Sequence, residues 1–362
     1  MSVFLMAGGG TGGHVIPGLA VARELRRRGH QPVFVGTRAG YEASLVPSAG
    51  FEIEFIEIGG LKRVGPAQKV RTLWQLPLSI LAVRRVIARR RPGAVFSMGG
   101  YAAGPVMAAA KWSGLPIVVM EPNALPGFTS RQFGRWVDRA LLSFPESARF
   151  FPPGRTELTG LPVRPEFFAI PPKPPGDVFS VLITGGSQGS RTLNNAARGA
   201  WPLFQQAPFR VRLIHQAGKA AWSEIAAAFS QTGLEGEVVP FFADMPAAFA
   251  QADLIAGRSG AGAVAELAAA GKPSVLVPFP YAADDHQYHN AKAMADAGAA
   301  RLIRDAEFDG ARLYREVSEL ASSPDLLQRM GKSARVFARP GAAERAADVL
   351  EQLQTLSFRA KP

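Results

Sequence analysis

Apolar positions along this chain follow two periods that alternate. Short unbroken apolar runs at residues 2–7, 31–35, 94–98 and 116–120 predict buried parallel strands, because a strand covered on both faces loses its in–out alternation. Between them lie stretches such as 17–28, with apolar positions three and four apart and Gly29 at the end, which predict amphipathic helices. The alternation restarts with strands at 181–184, 211–216, 237–241 and 274–278, and the chain turns helical after Asp325. Twice a strand runs into a glycine-rich loop and then a helix: GGGTGGH at 8–14 and GGSQGS at 185–190. The pattern predicts an α/β protein with two Rossmann-like, doubly wound domains facing a central cleft. The expected boundaries are residues 1–164, a stiff non-helical proline-rich linker at 165–177, a second domain at 178–340, and a last helix within 341–362 that packs back on the first domain.

Residues 257–291 concentrate the candidate chemistry. Residues 257–262 are too glycine-rich for an element interior, so a helix should start near Gly262 and run to Ala270, with Gly271 as its left-handed cap and Pro273 beyond. A Gly/Ser loop feeding a helix offers phosphate both free N–H groups and the positive end of the helix dipole. Glu266, expected in about the first turn, can accept two hydrogen bonds from a ribose diol, worth roughly 1.5–3 kcal/mol each. Alone it reads equally well as a dipole-pairing carboxylate. A polar loop then crowds Asp284, Asp285, His286, Gln287, His289 and Asn290 just past a strand's carboxyl end, where open α/β sheets bind ligands. Together these features predict a nucleotide-sugar site.

A length of 362 residues and 47% hydrophobic content suit two globular domains. The absence of cysteine excludes disulfides and thiolate metal sites. The first ten residues lack a basic n-region, and no apolar run reaches the ~18–20 residues of a membrane span, so a cytoplasmic protein is expected. The net charge of +12 is unevenly placed: ten basic residues and no acidic one lie between Glu57 and Glu121. Such a segment suits an anionic partner, either nucleic acid or a phospholipid surface. Within it, residues 69–91 form a helical stretch kinked or broken at Pro77. Leu76, Ile80, Val83 and Ile87 supply one core-facing side. Leu73, Trp74, Leu78 and Leu81 are left on other faces beside Arg84, Arg85 and Arg89, which fits either a fully buried helix or a membrane-surface patch.

The first glycine loop is not a convincing dinucleotide site. The second strand ends Val35-Gly36-Thr37-Arg38 without the carboxylate that holds an adenosine ribose, so NAD is disfavoured, and only Arg38 keeps NADP open. His14, at the end of that loop before Pro17 opens the helix, is a general-base candidate or a loop-shaping hydrogen-bonding residue. His286 and His289 lack a third ligand and no Asp-x-Asp occurs, so no metal and no cofactor are expected, and helix dipoles would stabilise a leaving phosphate.

Taken together, GGGTGGHVIPGLAVA at 8–22, GGYAAGP at 99–105, EPN at 121–123, PVR at 162–164, GGSQG at 185–189, SGAGAVAELAAAG at 259–271 and HQYHNA at 286–291 resemble one family. It is the MurG-type bacterial peptidoglycan glycosyltransferases of the two-Rossmann-domain (GT-B) class. The resemblance implies an inverting, metal-independent transfer of N-acetylglucosamine from UDP-N-acetylglucosamine to undecaprenyl-diphospho-muramoylpentapeptide. It also implies peripheral attachment to an anionic surface at the cytoplasmic face of the inner membrane, contacts with other cell-wall synthesis proteins, and no nucleic acid. The first domain would take acceptor and membrane, and the second the UDP-sugar.

Residue by residue, the resemblance implies Thr11, Gly12, Gly13, Asn123, Arg164, Ser187 and Gln287 as donor contacts. Phe242 would lie along the uracil. Ala261, Gly262, Ala263, Val264, Ala265 and Glu266 would hold diphosphate and ribose, with Glu266 on the ribose. His14 matches the family's base candidate, and Gly99, Gly100 and Tyr101 the acceptor side. The chain departs from the family in Pro122, Leu161 and Ala265, where Gln, Asn and Ser are usual. A UDP-N-acetylglucosamine 2-epimerase-like enzyme is the alternative, and it would need no basic-apolar patch. A nucleic-acid binder would explain the charge but not the two phosphate loops.

Overall fold

The computed structural model describes residues 1–10, 12–59, 66–174 and 176–359, and for 66–71, 73 and 357–359 only the backbone. It divides into two compact units, Met1–Pro162 with Gly341–Pro362, and Val163–Pro340.

The first unit winds through β1 (Val3–Gly8), α1 (Gly12–Arg27), β2 (Gln31–Gly36), α2 (Glu42–Ser48), β3 (Glu52–Phe55), α3 (Pro66–Arg90), β4 (Ala94–Gly99), α4 (Ala103–Trp112), β5 (Ile117–Glu121), α5 (Phe128–Phe133), β6 (Arg139–Leu142) and β7 (Thr156–Leu158). Its seven strands are parallel in the order β3-β2-β1-β4-β5-β6-β7, so the winding direction switches between β1 and β4. The strands are apolar on both faces because helices cover both: Leu5, Val33, Val95 and Val119 are fully buried against Val83 of α3 and Val106 of α4. Each such side chain contributes about 1.5–3 kcal/mol.

The second unit continues with α6 (Pro165–Phe168), β8 (Val178–Thr184), α7 (Arg191–Gln205), β9 (Arg210–Gln216), α8 (Trp222–Phe229), β10 (Glu235–Val239), α9 (Met245–Gln251), β11 (Leu254–Gly257), α10 (Ala261–Ala270), β12 (Ser274–Leu276), α11 (His286–Asp296), β13 (Ala300–Leu302), α12 (Gly310–Ala321) and α13 (Pro324–Arg335). The order β10-β9-β8-β11-β12-β13, all parallel, puts its switch point between β8 and β11. Val181, Leu213, Leu254 and Val275 pack beneath α7 and α12. The final helix α14 (Ala342–Arg359) belongs to the first unit. Arg28 reaches Asp348 at 2.6 Å and Glu351 at 2.8 Å, and Arg345 forks onto Glu157.

Several elements depart from the sequence expectation. Helix α1 starts at Gly12 and takes Pro17 into its interior, at the cost of one backbone hydrogen bond. Helix α3 runs unbroken through Pro77. The polar segment read as a loop is largely α11, which begins at His286. The proline-rich 165–177 stretch opens with the helical turn α6, whose Phe167 is fully buried edge-on to Phe249 at 5.0 Å, so its start is core rather than linker. Among the described residues, no helix is long and apolar enough to cross a membrane.

Candidate active site

In the second unit, a cavity of about 700 Å³ opens at the carboxyl ends of β8 and β11, the switch point of the sheet. The loop after β8 forms one wall and ends at Ser190, whose side chain caps α7 by accepting from Leu193 N. Gly189, at φ +74°, lets that loop lie on the chain after β9: a Cβ there would sit 2.2 Å from Ala217 O. The opposite wall is α10, with Gly260 at its N-cap and Gly271 in the left-handed conformation at its end. Its first-turn amides point out of the helix toward the same end of the sheet.

Glu266 lies in the second turn of α10, not the first, and its half-buried carboxyl lines the cavity. Desolvation raises its pKa to about 7, and the nearby Arg164 guanidinium opposes that shift. A carboxyl held there is easily charged by a ligand that donates two hydrogen bonds to it. Gln287, the second residue of α11, lines the cavity and accepts from Phe279 N at 3.0 Å. Ser259 Oγ donates to Gln287 O at 2.8 Å, fixing α11 against the start of α10.

Arg258, just past β11, donates to Val277 O at 3.0 Å, Pro278 O at 3.1 Å, Asp305 Oδ1 at 2.5 Å and Ser190 Oγ at 2.7 Å. It therefore ties the loops after β8, β11, β12 and β13 into one rim. Sequence reasoning missed Arg258 and Asp305; an arginine directly after a buried apolar strand was the available signal.

In the first unit, the loops after β1 and β4 meet at the other switch point. Glu42 is fully buried there and accepts from Gly10 N at 2.9 Å, Thr37 N at 2.9 Å and Thr37 Oγ1 at 3.0 Å. Gly9, Gly36 and Gly40 leave room for it, since a Cβ on any of them would come within 2.0–2.6 Å of its side chain. Tyr101 OH pairs with Thr37 Oγ1 at 3.0 Å, so Gly99, Gly100 and Tyr101 are held against the first glycine loop. Gly12, Gly13 and His14 form the first turn of α1, and His14 is half-buried there rather than in the preceding loop. Thr11 lies outside the described residues. At the end of β5, Glu121 is buried, and desolvation raises its pKa to about 7 against hydrogen bonds from Ser130, Asn123 and Gly127. Asn123 is buried too, its Nδ2 on Glu121 Oε1 at 3.3 Å.

Of the expected donor residues in the second unit, the structure brings Ala263, Glu266 and Gln287 into the cavity wall. Ser187 is exposed between the lining residues Gly186 and Gln188. Ala261, Gly262 and Ala265 lie on the first turns of α10. Phe242 is half-buried, its N–H on Gln216 Oε1 at 3.0 Å. Arg164 stacks on Phe167, 5.1 Å from the ring centre. The side chain of Val264 is buried in the core and its N–H bonds Gly260 O at 3.0 Å.

The chain matches the glycosyltransferase family 28 N-terminal domain over residues 4–142 and the family 28 C-terminal domain over residues 180–353. It is 63% identical over 350 residues to the UDP-N-acetylglucosamine–N-acetylmuramyl-(pentapeptide) pyrophosphoryl-undecaprenol N-acetylglucosamine transferase of Solibacter usitatus, covering 97% of this chain and 96% of that one. The Myxococcus xanthus protein of the same name is 41% identical, covering 99% and 94%. The crystal structure of Acinetobacter baumannii MurG superposes with a TM-score of 0.82 at 32% identity, covering 97% of this chain and 99% of that one. With two parallel-sheet units and these relatives, the chain belongs to glycosyltransferase family 28 and to its MurG-type N-acetylglucosaminyltransferases, of the GT-B fold.

Proposed function

We propose that the protein transfers N-acetylglucosamine from UDP-N-acetylglucosamine to the muramoyl 4-hydroxyl of the undecaprenyl-diphospho-muramoylpentapeptide, the lipid I to lipid II step of peptidoglycan synthesis. The observation that carries the donor side is Glu266, a desolvated carboxyl on a glycine-loop helix in the wall of the switch-point cavity. In this reading Glu266 accepts both ribose hydroxyls, and the amides at the start of α10 and in the 185–190 loop hold the diphosphate. The acceptor oxygen attacks the anomeric carbon, the bond to the diphosphate oxygen breaks with inversion, and His14 takes the hydroxyl proton. UDP leaves with its charge stabilised by the α10 amides. Thr11, Gly12, Gly13, Asn123, Arg164, Ser187 and Phe242 are further donor contacts, and Gly99, Gly100 and Tyr101 belong to the acceptor side.

The test is transfer of radiolabel from UDP-N-acetylglucosamine to a short-chain lipid acceptor, with formation of a glycolipid expected. Conversion of the donor to its 2-epimer without glycolipid would favour the epimerase alternative, which the 63%-identical transferase already weighs against.

Attachment to an anionic membrane surface is supported by α3. Trp74 is 78% exposed, Leu78 69% and Leu81 43%, on the face away from the buried Val83 and Ile87. Trp112 of α4 is also exposed, with the Arg84 guanidinium 4.5 Å from its ring centre. Arg85 is exposed, whereas Arg89 pairs with Glu54 at 2.9 Å; the side chain of Leu73 lies outside those described. Each basic residue near an anionic bilayer contributes about 1 kcal/mol. Replacing Arg84 and Arg85 by Glu should weaken vesicle co-sedimentation, most at low salt, while transfer to a water-soluble acceptor survives. Unchanged sedimentation would reduce the patch to an ordinary solvated face.

A further inference from the structure

Gln216 is the last residue of β9, paired in register with Thr184 on β8 and Val239 on β10, and it is 1% exposed. Its carboxamide bridges the loop after β8 and the segment after β10. Nε2 donates to Gly186 O at 2.8 Å and to Thr184 Oγ1 at 3.4 Å, and Oε1 accepts from Phe242 N at 3.0 Å. The orientation of the amide is fixed by its partners, because a carbonyl only accepts and a backbone N–H only donates. Thr184 and Gly186 line the cavity, and Thr184 Oγ1 also accepts from Gly186 N at 3.2 Å. Gly186 has no side chain to anchor the loop and sits at φ +81°. The buried carboxamide therefore ties the glycine loop to the chain beyond β10.

We infer that Gln216 is a positioning residue for the nucleotide half of the donor, setting the distance between the diphosphate-side loop 185–190 and the nucleobase-side segment at Phe242. The inference rests on the donor-site reading above. Gln216 touches neither substrate. Its effect is transmitted through Gly186 and Phe242, so it should act on ground-state binding of anything that carries uridine diphosphate, not on the chemical step.

The discriminating variant is Gln216→Glu. Its carboxylate still accepts from Phe242 N but faces Gly186 O with no proton, setting acceptor against acceptor in a buried site. The KM for UDP-N-acetylglucosamine and the Kd for UDP should rise together by about tenfold or more, with kcat within about threefold and the acceptor KM unchanged. Protonation restores the lost donor, so the variant-to-wild-type ratio of donor KM should shrink toward one as pH falls. Glu266 in the cavity and His215 on the other face of β9 titrate in both proteins and cancel in that ratio. Gln216→Leu should show the defect at every pH, and if it does not fold, the Glu variant decides alone. A wild-type donor KM in Gln216→Glu would overturn the inference, as would a defect without pH rescue or a parallel loss of kcat and acceptor KM. Glu266→Ala run alongside separates the two failures. If it loses donor affinity while Gln216→Glu does not, only Gln216 is misread; if neither does, the donor-site reading falls.

Discussion

The loops after β1 and β8 stand at equivalent switch points of two parallel sheets, and both begin with paired glycines. They use their surroundings in opposite ways. In the first unit the amide of Gly10 is bonded to Glu42, and Tyr101 closes over the same loop through Thr37. In the second unit the loop borders a cavity of about 700 Å³, and its tether, Gln216, grips Gly186 through the carbonyl. The difference teaches that a glycine loop after a strand marks where a sheet can bind, but not what occupies it. Residues from other elements decide that. Glu42 pins the first loop where it leads into α1 and His14, and in the function proposed above the cavity lined by Glu266 makes the second loop part of the diphosphate and ribose site.

Three substitutions would break this contrast if it is wrong. His14→Ala, in the first turn of α1, should lower kcat by about 10²–10⁴-fold with donor KM nearly unchanged, which steady-state kinetics with both substrates varied will show. Glu42→Ala should destabilise the protein by about 3 kcal/mol, because it removes the buried acceptor of three hydrogen bonds, two of them from the buried Thr37, and UDP affinity should change little; denaturant melts and UDP titrations check both halves. Glu266→Ala should act in the reverse sense, raising donor KM by about 30–150-fold, or about 2–3 kcal/mol, with stability nearly intact. The same change at the exposed Glu235 is the control. A donor KM that moves with Glu42 but not with Glu266 would exchange the roles of the two loops.

How much of this was legible in the sequence depended on distance along the chain. The strands were readable because helices cover both faces of each sheet and leave unbroken apolar runs. The start of α1 was not, because Gly12, Gly13 and Pro17 all argue locally against a helix that tertiary packing nevertheless imposes. Helix α11 was missed because its first turns are polar, and α6 because prolines masked a turn held by Phe167. At the site, Glu266 was found from its own helix start. Glu42, Gln216 and Arg258 were not, since their partners lie as much as 32, 32 and 68 residues away.

The finest test of the contrast is the pH dependence of donor binding, because Glu266 of α10 puts a carboxyl with a pKa near neutrality in the cavity wall. Desolvation raises the Glu266 pKa to about 7, well above the ordinary carboxylate value of about 4.3. A ribose diol donates both its protons, so it binds the charged carboxylate and must displace a proton from the neutral one. Donor KM should therefore be flat above pH 7 and rise by up to about tenfold per unit as pH falls below it. The diphosphate of UDP-N-acetylglucosamine is esterified at both ends and does not titrate in this window, so the slope belongs to the protein. Glu266→Gln, which keeps the shape but not the ionisation, should remove the Glu266 part of the slope and raise KM, and any slope that remains belongs to Glu121 beside Asn123. A wild-type donor KM that does not change between pH 5.5 and 8 (roughly the span around this pKa) would mean that Glu266 meets the donor already charged, or does not meet it.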